Sequence, residues 1–383
     1  MELIEFGSIA HIKKGKKPSC QVLEPQAGFM PYVDIEAFET GNIKAYTDGV
    51  KCLPCQKGDI LIVCDGSRSG FVGRAIDGYV GSTLAVISAD GMSSDYLYYF
   101  LQGKYALLNT KKKGTGTPHL DQQILFKQKL MVPSLPEQNR IVARIEELFS
   151  ELDNGVETLQ KTKQQLAVYR QAVVKAVLDA YCKNADTVKI GDVCHDVKVG
   201  IVIKPTQYYV QTGGVRAFRN ANVRRNFIED TDWAMISQEG HKQNCRSEIH
   251  AGDVLIARSG VNLGMAAAVP EKYDGYNAID VVIAVPKQDL VLPRYLAYYT
   301  NSPYGISSVK QNQRGVAQGH LNITVYGKLP LLLPTTEIQN SIIQEIDARL
   351  SSCDDIEKTV DTALQQAEAM RQSILKQAFE GRL

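Results

Sequence analysis

The sequence repeats itself, and this internal repeat limits the possible folds more than any other feature. Gln138 and Asn139 recur 201 residues later as Gln339 and Asn340. Further matches at the same offset extend over residues 119–175. A constant offset over so long a stretch indicates that the chain contains two copies of one structural plan.

The offset becomes smaller toward the start of the chain. Gly58–Ile62 matches Gly252–Ile256 at an offset of 194, and Ile4–His11 matches Val188–His195 at an offset of 184. Loop insertions in the second copy explain this drift, because loops tolerate changes of length that packed elements do not. Coincidental similarity between two amphipathic helices is the alternative. It does not explain the matching Gly-Asp-hydrophobic segments.

The first part of each copy has the pattern of a mixed α/β domain. Runs rich in Val, Ile and Leu, bounded by Gly, Asp and Pro, predict strands at Asp59–Cys64, Thr83–Ser88, Asp253–Ala257 and Ala278–Val285. Helical patterns lie between them, over 95–108 and its match 293–300. The fold class predicted from these elements is α+β.

The second part of each copy predicts a long helix with apolar residues seven positions apart. Sustained heptads are typical of a coiled-coil seam. The first helix supplies Ile145, Leu152, Leu159, Leu166 and Val173, and the second supplies Ile346, Cys353, Val360, Ala367 and Ile374. A second line of seam positions includes Ile141, Leu148, Thr162, Tyr169, Ala176, Ile342, Ile356, Ala363 and Met370. The turn-favouring pair Asn154–Gly155 predicts an interruption of the first helix.

Neither helix can bury its apolar stripe alone, so we expect the two to pair. Antiparallel pairing is favoured over parallel pairing, because parallel packing would require residues 186–333 to span the whole helix. The predicted architecture is two α/β domains separated by two long helices that form an antiparallel coiled coil, with an internal pseudo-two-fold repeat. The predicted segments are 1–133, 134–185, 186–333 and 334–383.

The overall composition argues against several classes of protein. No apolar run approaches the roughly 18 residues that a membrane span needs, and the N-terminal residues do not resemble a signal peptide. Eight scattered cysteines are typical of reduced thiols in a cytoplasmic protein. The phosphate-loop, dinucleotide-binding, zinc-protease and nucleophile-elbow motifs are all missing from the sequence. The pair Cys52 and Cys55 lacks a second pair of zinc ligands, so no catalytic residue, metal or bound cofactor is predicted.

Three classes of loop concentrate cationic and amide side chains. The first loop spans Lys13–Ser19, and the second spans 111–117 and its match 310–318. The third follows the predicted strand that begins at Asp59 and its match that begins at Asp253. Lys and Arg neutralise phosphates, and Arg, Asn and Gln form bidentate contacts with purine edges. The predicted DNA-binding residues are Lys16, Lys17, Arg68, Lys111, Lys112, Lys113, Thr117, Arg219, Asn222, Arg224, Arg225, Arg258, Asn312, Arg314 and Gln318.

For any single one of these residues, an ordinary solvated loop is about as good an interpretation as a DNA contact. The two matching loops 111–117 and 310–318 favour DNA when they are considered together. They occupy the same point of the repeat and differ in their side chains, which is what two readers of two different sequences need.

Two segments resemble a known family. Pro133–Asp153 is similar to the central conserved region of the specificity subunit of type I restriction-modification systems, and Arg371–Leu383 resembles its C-terminal signature. The resemblance implies a non-catalytic subunit in which each recognition domain reads one half of a bipartite, asymmetric DNA site. It also implies that the paired helices set the gap between the halves.

The same resemblance implies partners that carry the chemistry. Two modification subunits with S-adenosylmethionine would methylate adenine N6, and two restriction subunits with ATP and Mg²⁺ would complete the nuclease. Leu178, Phe379 and Leu383 are the expected contacts with the modification subunit, although for Phe379 a position in the core is equally compatible. Two alternatives stay open at this point: a self-sufficient DNA methyltransferase, and a structural coiled-coil scaffold that does not bind nucleic acid.

Overall fold

The computed structural model describes residues 3–111, 118–313 and 320–383. The chain forms two compact units, which we call unit 1 and unit 2. Unit 1 comprises Met1–Gln160 with Asp361–Leu383, and unit 2 comprises Lys161–Val360. Each long helix is divided between the two units. The units therefore do not test the boundaries of the four predicted segments, which remain predictions.

The described residues of unit 1 form ten strands and four short helices ahead of the first long helix. In chain order they are β1 Ile4–Glu5, β2 Ala10–Lys14, β3 Met30–Val33, α1 Ile35–Thr40, β4 Tyr46–Thr47, β5 Pro54–Cys55, β6 Ile60–Val63, β7 Val72–Arg74, β8 Gly78–Val80, β9 Leu84–Ala89, α2 Ser94–Gln102, α3 Tyr105–Thr110, α4 Gln122–Phe126 and β10 Lys129–Leu130. The long helix α5 follows, Leu135–Tyr181.

Outside residues 314–319, unit 2 forms a second set of ten strands and four short helices. In chain order they are β11 Asp186–Lys189, β12 Cys194–Val199, β13 Val215–Arg219, β14 Ala234–Ile236, α6 Gln238–Gln243, β15 Glu248–Ile249, β16 Val254–Ala257, β17 Ala266–Ala268, β18 Tyr276–Ile279, β19 Val281–Pro286, α7 Pro293–Asn301, α8 Pro303–Gln313, α9 Ile323–Gly327 and β20 Pro330–Leu333. The second long helix, α10, spans Thr336–Phe379.

The strand order of the two units is the same, which confirms the internal repeat. The two four-stranded sheets of unit 1 run β2-β9-β6-β7 and β4-β3-β8-β5, and those of unit 2 run β12-β19-β16-β17 and β14-β13-β18-β15. One pair in each unit is parallel, β3 with β8 and β13 with β18. Every residue of β6 and β16 is buried, which explains why both strands are continuous apolar runs instead of alternating.

One predicted strand is two strands in the structure. The apolar run Ala278–Val285 is divided at Asp280, which has a φ of +54°. The residues before it belong to β18 and those after it to β19, and these strands lie in different sheets. A continuous hydrophobic pattern does not reveal such a switch, because both parts are buried.

The two long helices pair antiparallel, as predicted. In unit 1, Ile145 near the start of α5 lies in one apolar cluster with Leu375 near the end of α10. In unit 2, Val173 near the end of α5 lies in one cluster with Ile342 near the start of α10. The main heptad line is buried or half-buried throughout, so the period of seven identified the packed stripe correctly.

Two details of the helix prediction are wrong. Helix α5 continues through Asn154–Gly155, where a side chain at Gly155 would meet no neighbouring atom. The cost of one exposed helical glycine, about 1 kcal/mol, is offset by packing along the rest of the stripe. The second heptad line is also less buried than expected, because Tyr169, Ile356 and Met370 are exposed.

One of the three residues predicted to contact a modification subunit is not accessible to a partner, so that prediction is wrong. Leu178 is fully buried in the core of unit 2. Phe379 is half-buried and packs against Tyr96 and Phe100, with ring centroids 4.9 and 5.4 Å away, so its contact with a modification subunit stays a prediction. Leu383 is half-buried beside the same cluster of unit 1, and its role stays a prediction.

The described helices include none with the length and apolarity that a bilayer crossing requires. All eight cysteines are free thiols. Burial raises the pKa of Cys55 and of Cys194 to about 12, which keeps these two thiols protonated at neutral pH.

Candidate nucleic-acid interface

In unit 1, backbone hydrogen bonds join the loop after β6 to residues 118–120. The amide of Gly66, after β6, donates to the carbonyl of Pro118 at 2.8 Å. The amide of Leu120 donates to the carbonyl of Cys64, also at 2.8 Å. The loop after β6 and the segment that follows residues 112–117 are therefore held side by side.

Unit 2 repeats this junction with different side chains. The amide of Leu321 donates to the carbonyl of Arg258 at 2.7 Å. Leu321 matches Leu120 and Arg258 matches Cys64 at the offsets of the sequence repeat. The backbone of the junction is therefore the same in both units, whereas the side chain at its centre changes from a buried thiol to a guanidinium.

The carboxylate of Asp65 organises the junction of unit 1. It accepts from Lys14 Nζ and from His119 Nδ1, each at 2.7 Å. Partial burial would raise the pKa of Asp65, but the hydrogen bonds from Lys14 and His119 outweigh it and the pKa is lowered. His119 is an exposed partner of this carboxylate.

The free positive charge of unit 1 is carried by lysines. Lys16 and Lys17 are exposed directly after β2, and Lys111 is exposed at the end of α3. None of the three forms an ion pair with another residue of the described ranges. Arg68 differs from them, because it pairs with Glu39 and stacks on Phe71 at 4.8 Å.

The predicted arginines of unit 2 are mostly engaged with carboxylates. Arg219 pairs with Asp232 at 3.3 Å, Arg224 with Glu229 at 2.7 Å, and Arg258 with Asp280 at 3.2 Å. Arg225 is exposed, and its Nη1 lies 2.7 Å from the amide oxygen of Gln171 in the better orientation of that amide. The carboxylates fix the orientation of Arg219, Arg224 and Arg258 and balance much of their positive charge.

The prediction for Asn222 is wrong. Its side chain is only 2% exposed. Its amide nitrogen donates to the carbonyls of Glu229 and Thr231, and its oxygen accepts from the amide of Arg219 at 2.9 Å. Asn222 therefore fixes the turn after β13 and is not available to DNA.

The loop predicted at 310–318 begins as helix, because Lys310 and Asn312 belong to the last turn of α8. Asn312 is exposed and its amide donates to the carbonyl of Ser308. The remaining predicted residues, Lys112, Lys113, Thr117, Arg314 and Gln318, lie outside the described residues.

Two buried glutamines have a role that the sequence did not assign to them. The amide nitrogen of Gln138 donates to the carbonyls of Gly91 and Pro133, and its oxygen accepts from the amide of Ser93. Gln138 thereby ties the start of α5 to the segment before α2. Its recurrence at position 339 was the only signal in the sequence, and repetition alone does not separate a clamp from a packing residue.

Gln339 forms the same clamp in unit 2. Its amide nitrogen donates to the carbonyls of Leu290 and Pro334, and its oxygen accepts from the amide of Leu292 at 2.8 Å. Both amides are fully buried and have partners for nitrogen and oxygen. Each clamp fixes the direction in which a long helix leaves the sheets of its own unit.

Across the described ranges, His, Cys, Asp and Glu nowhere come together in a group of three or more that could hold a metal ion. The chemistry that the described loops offer is hydrogen-bond donation and positive charge, at the ends of rigid strands. Such an arrangement suits recognition of a polyanion.

Comparison with known proteins gives one consistent result. A family model described as the type I restriction modification DNA specificity domain matches residues 1–166. The MjaVIII specificity subunit from Methanocaldococcus jannaschii is 23% identical over 403 residues, covering 100% of this chain and 92% of that relative. The EcoBI specificity subunit from Escherichia coli is also 23% identical, covering 99% of this chain and 85% of that relative.

The fold agrees with a solved structure from work on complex assembly and conformational transition of the type I R-M system. The matched chain is 18% identical, with a TM-score of 0.70, and the match covers 100% of this chain and 98% of that one. Over its full length the chain is similar to specificity subunits of type I restriction-modification systems, and residues 1–166 match the model of their DNA specificity domain.

Proposed function

We propose that this chain is the DNA sequence-recognition subunit of a type I restriction-modification complex. It reads a bipartite, asymmetric site, with one half-site for the sheets and loops of each unit. The antiparallel helices set the gap between the half-sites, as fixed dimer geometry does for other DNA-binding proteins. The chain directs adenine-N6 methylation and restriction that partner subunits carry out.

One observation carries the proposal: the two units have the same strand order and the same loop junction, but different side chains at that junction. Cys64 in unit 1 occupies the place of Arg258 in unit 2. Two identical readers would recognise a symmetric site, whereas two equivalent backbones with different side chains suit an asymmetric one.

The side chains at the junctions match what a duplex requires. Lys16, Lys17 and Lys111 are exposed cations that can neutralise phosphates. The carboxylate-held arginines of unit 2 are oriented donors, which suit the acceptors of a base edge. A methyltransferase must extract its target base from the stack, so a reader placed beside it determines which adenine is presented.

We infer that the partners are two modification subunits that use S-adenosylmethionine and two restriction subunits that use ATP and Mg²⁺, with the chain in the cytoplasm. The support is that the full-length relatives are specificity subunits of type I restriction enzymes. The self-sufficient methyltransferase and the DNA-independent scaffold have no observation in their favour, so neither is proposed.

The test is a map of methylated adenines in a host that lacks its own adenine methylation. The chain is expressed with the modification subunit of its system, and a second culture expresses the modification subunit alone. We expect one split motif with two dissimilar halves, present only when this chain is present. Methylation of the same motif by the modification subunit alone, or the absence of any split motif, would contradict the proposal.

A further inference from the structure

A polar cluster lies at one edge of the sheets of unit 2. Arg219 ends β13, Asp280 follows β18, and Arg258 follows β16. Strands β13 and β18 are parallel, so their carboxyl ends reach the same edge of their sheet. Asn220, the residue after β13, connects the members of the cluster.

The hydrogen bonds of Asn220 hold Arg258 from two sides. Its side-chain oxygen accepts from the backbone amide of Arg258 at 2.7 Å, and its nitrogen donates to Asp280 Oδ2 at 3.2 Å. The other oxygen of Asp280 lies 3.2 Å from Arg258 Nη1. The guanidinium is therefore oriented by a carboxylate that is itself oriented by an amide.

The backbone at Asp280 also carries strain. Its φ of +54° lies in the left-handed region, which costs a non-glycine residue energy and persists where the surroundings impose it. A glycine would adopt this conformation without strain, but it would not supply the carboxylate that contacts Arg258.

The cluster is incomplete in one respect. The Nε atom of Arg258 is buried and has no hydrogen-bond acceptor among the described residues, and the same holds for Nε of Arg219. A buried donor without an acceptor is unfavourable. Because Nε itself is buried, a base would meet the exposed part of the guanidinium and not this atom. The Arg258 side chain is 20% exposed, so part of the guanidinium faces outward.

We propose that Arg258 determines base specificity by recognising a guanine in the half-site read by unit 2, with Asp280 and Asn220 as positioning residues. This inference rests on the proposed function and adds a residue and a base to it. Guanine presents two adjacent acceptors, O6 and N7, in the major groove, and a guanidinium is the side chain that most often contacts them.

A phosphate is the other acceptor that DNA offers, and the cluster suits it less well. Asp280 balances the charge of Arg258, which weakens attraction to a phosphate but keeps the direction of the N–H donors. The exposed lysines of unit 1 show the opposite arrangement, with free charge and no fixed direction. Unit 1 also has the buried Cys64 at the position of Arg258, so the effect is confined to one half-site.

The test uses the full chain with its modification subunit and compares the methylated motif of the wild type with those of Arg258→Ala and Arg258→Lys. We expect the requirement for guanine at one position of one half-site to fall by about 5- to 150-fold, the value of one bidentate pair. The other half-site should keep its sequence. Arg258→Lys retains the charge and most of the side chain, so it decides the outcome should the alanine variant not fold.

Lys111→Gln is the matched control, because it removes an exposed charge from unit 1. We expect it to lower methylation evenly at all sites without changing the motif. An unchanged motif in both Arg258 variants, or an even loss of methylation, would overturn the role of Arg258. If the wild-type complex itself gives no split motif, it is the proposed function that fails.

Discussion

Unit 1 and unit 2 share a backbone plan and differ in how they carry charge. In unit 1 the cations near the junction are mainly the free lysines Lys16, Lys17 and Lys111. In unit 2 they are mainly arginines held by acids, such as Arg224 with Glu229 at 2.7 Å. The equivalent loops thus present point charges without ion-pair partners among the described residues in one unit, and oriented donors in the other.

The difference teaches which parts of the fold are free to change. The residue after β6 is Cys64, and the residue after the matching strand β16 is Arg258. The backbone carbonyl of each accepts a hydrogen bond from a leucine amide. A hydrogen bond between backbone atoms does not require a particular side chain at either residue. The fold can therefore keep the loop in place while its recognition chemistry changes.

The largest effect should come from the clamps that the units share. Replacing Gln138 with Leu leaves the groups around Gly91, Ser93 and Pro133 without their partners, at a cost of roughly 3 kcal/mol or more in the free energy of unfolding of unit 1. Gln339→Leu should cost unit 2 a similar amount.

Hydrogen exchange separates the two clamp variants. The amide of Ser93 should exchange faster in Gln138→Leu, and the amide of Leu292 faster in Gln339→Leu, each without the other. Asn139→Ala is the control, because Asn139 is an exposed neighbour of the first clamp. Unequal costs for the two variants would show that the clamps are not equivalent.

A smaller effect should distinguish the two kinds of charge. Replacing Lys16, Lys17 and Lys111 with Gln should make the slope of log affinity against log salt shallower by about 0.9 for each phosphate that the chain no longer neutralises. Replacing Arg219 and Arg224 with Gln should change the slope less, because Asp232 and Glu229 already balance them. Fluorescence anisotropy with a duplex carrying the mapped motif measures both slopes, and equal changes would remove the distinction between the units.

The smallest effect concerns the matched aspartates of the Gly-Asp turns. Burial raises the pKa of Asp253 despite a hydrogen bond from the amide of His250. A raised carboxyl pKa favours the folded state at low pH, and this advantage is lost as pH rises above the unfolded value of about 3.9. The free energy of unfolding of Asp253→Asn, measured relative to that of the wild type, should therefore increase slightly as pH rises.

Denaturant unfolding of the Asp253→Asn variant between about pH 4 and pH 8 measures this difference. Asp59→Asn is the matched control in unit 1, where the equivalent carboxylate accepts from the amide of Gln56 and is only half-buried. It reports what the same substitution does to stability at the less buried turn. A difference for Asp253→Asn that falls with rising pH would contradict the effect of burial.

The sequence by itself determined the repeat, the buried heptad line and the antiparallel pairing of α5 and α10. These follow from periodicity, which is written along the chain because apolar residues must recur wherever a helix meets its partner. The sequence also located the loops that carry the cations. It did not show that Glu229, Asp230 and Asp232 fold back onto the arginines before them, because ion pairs depend on how a loop closes.

The tertiary structure alone decided the roles of single residues. Asn222 is a residue type that often contacts bases, but its side chain is buried. Gln138 is a residue type common on surfaces, but its buried amide joins the start of α5 to the segment before α2. Helix α5 passes through Gly155 because packing elsewhere on the helix outweighs a local preference. Local sequence records the preference of each residue, whereas the partners that satisfy its polar atoms come from distant parts of the chain and exist only once the fold has formed.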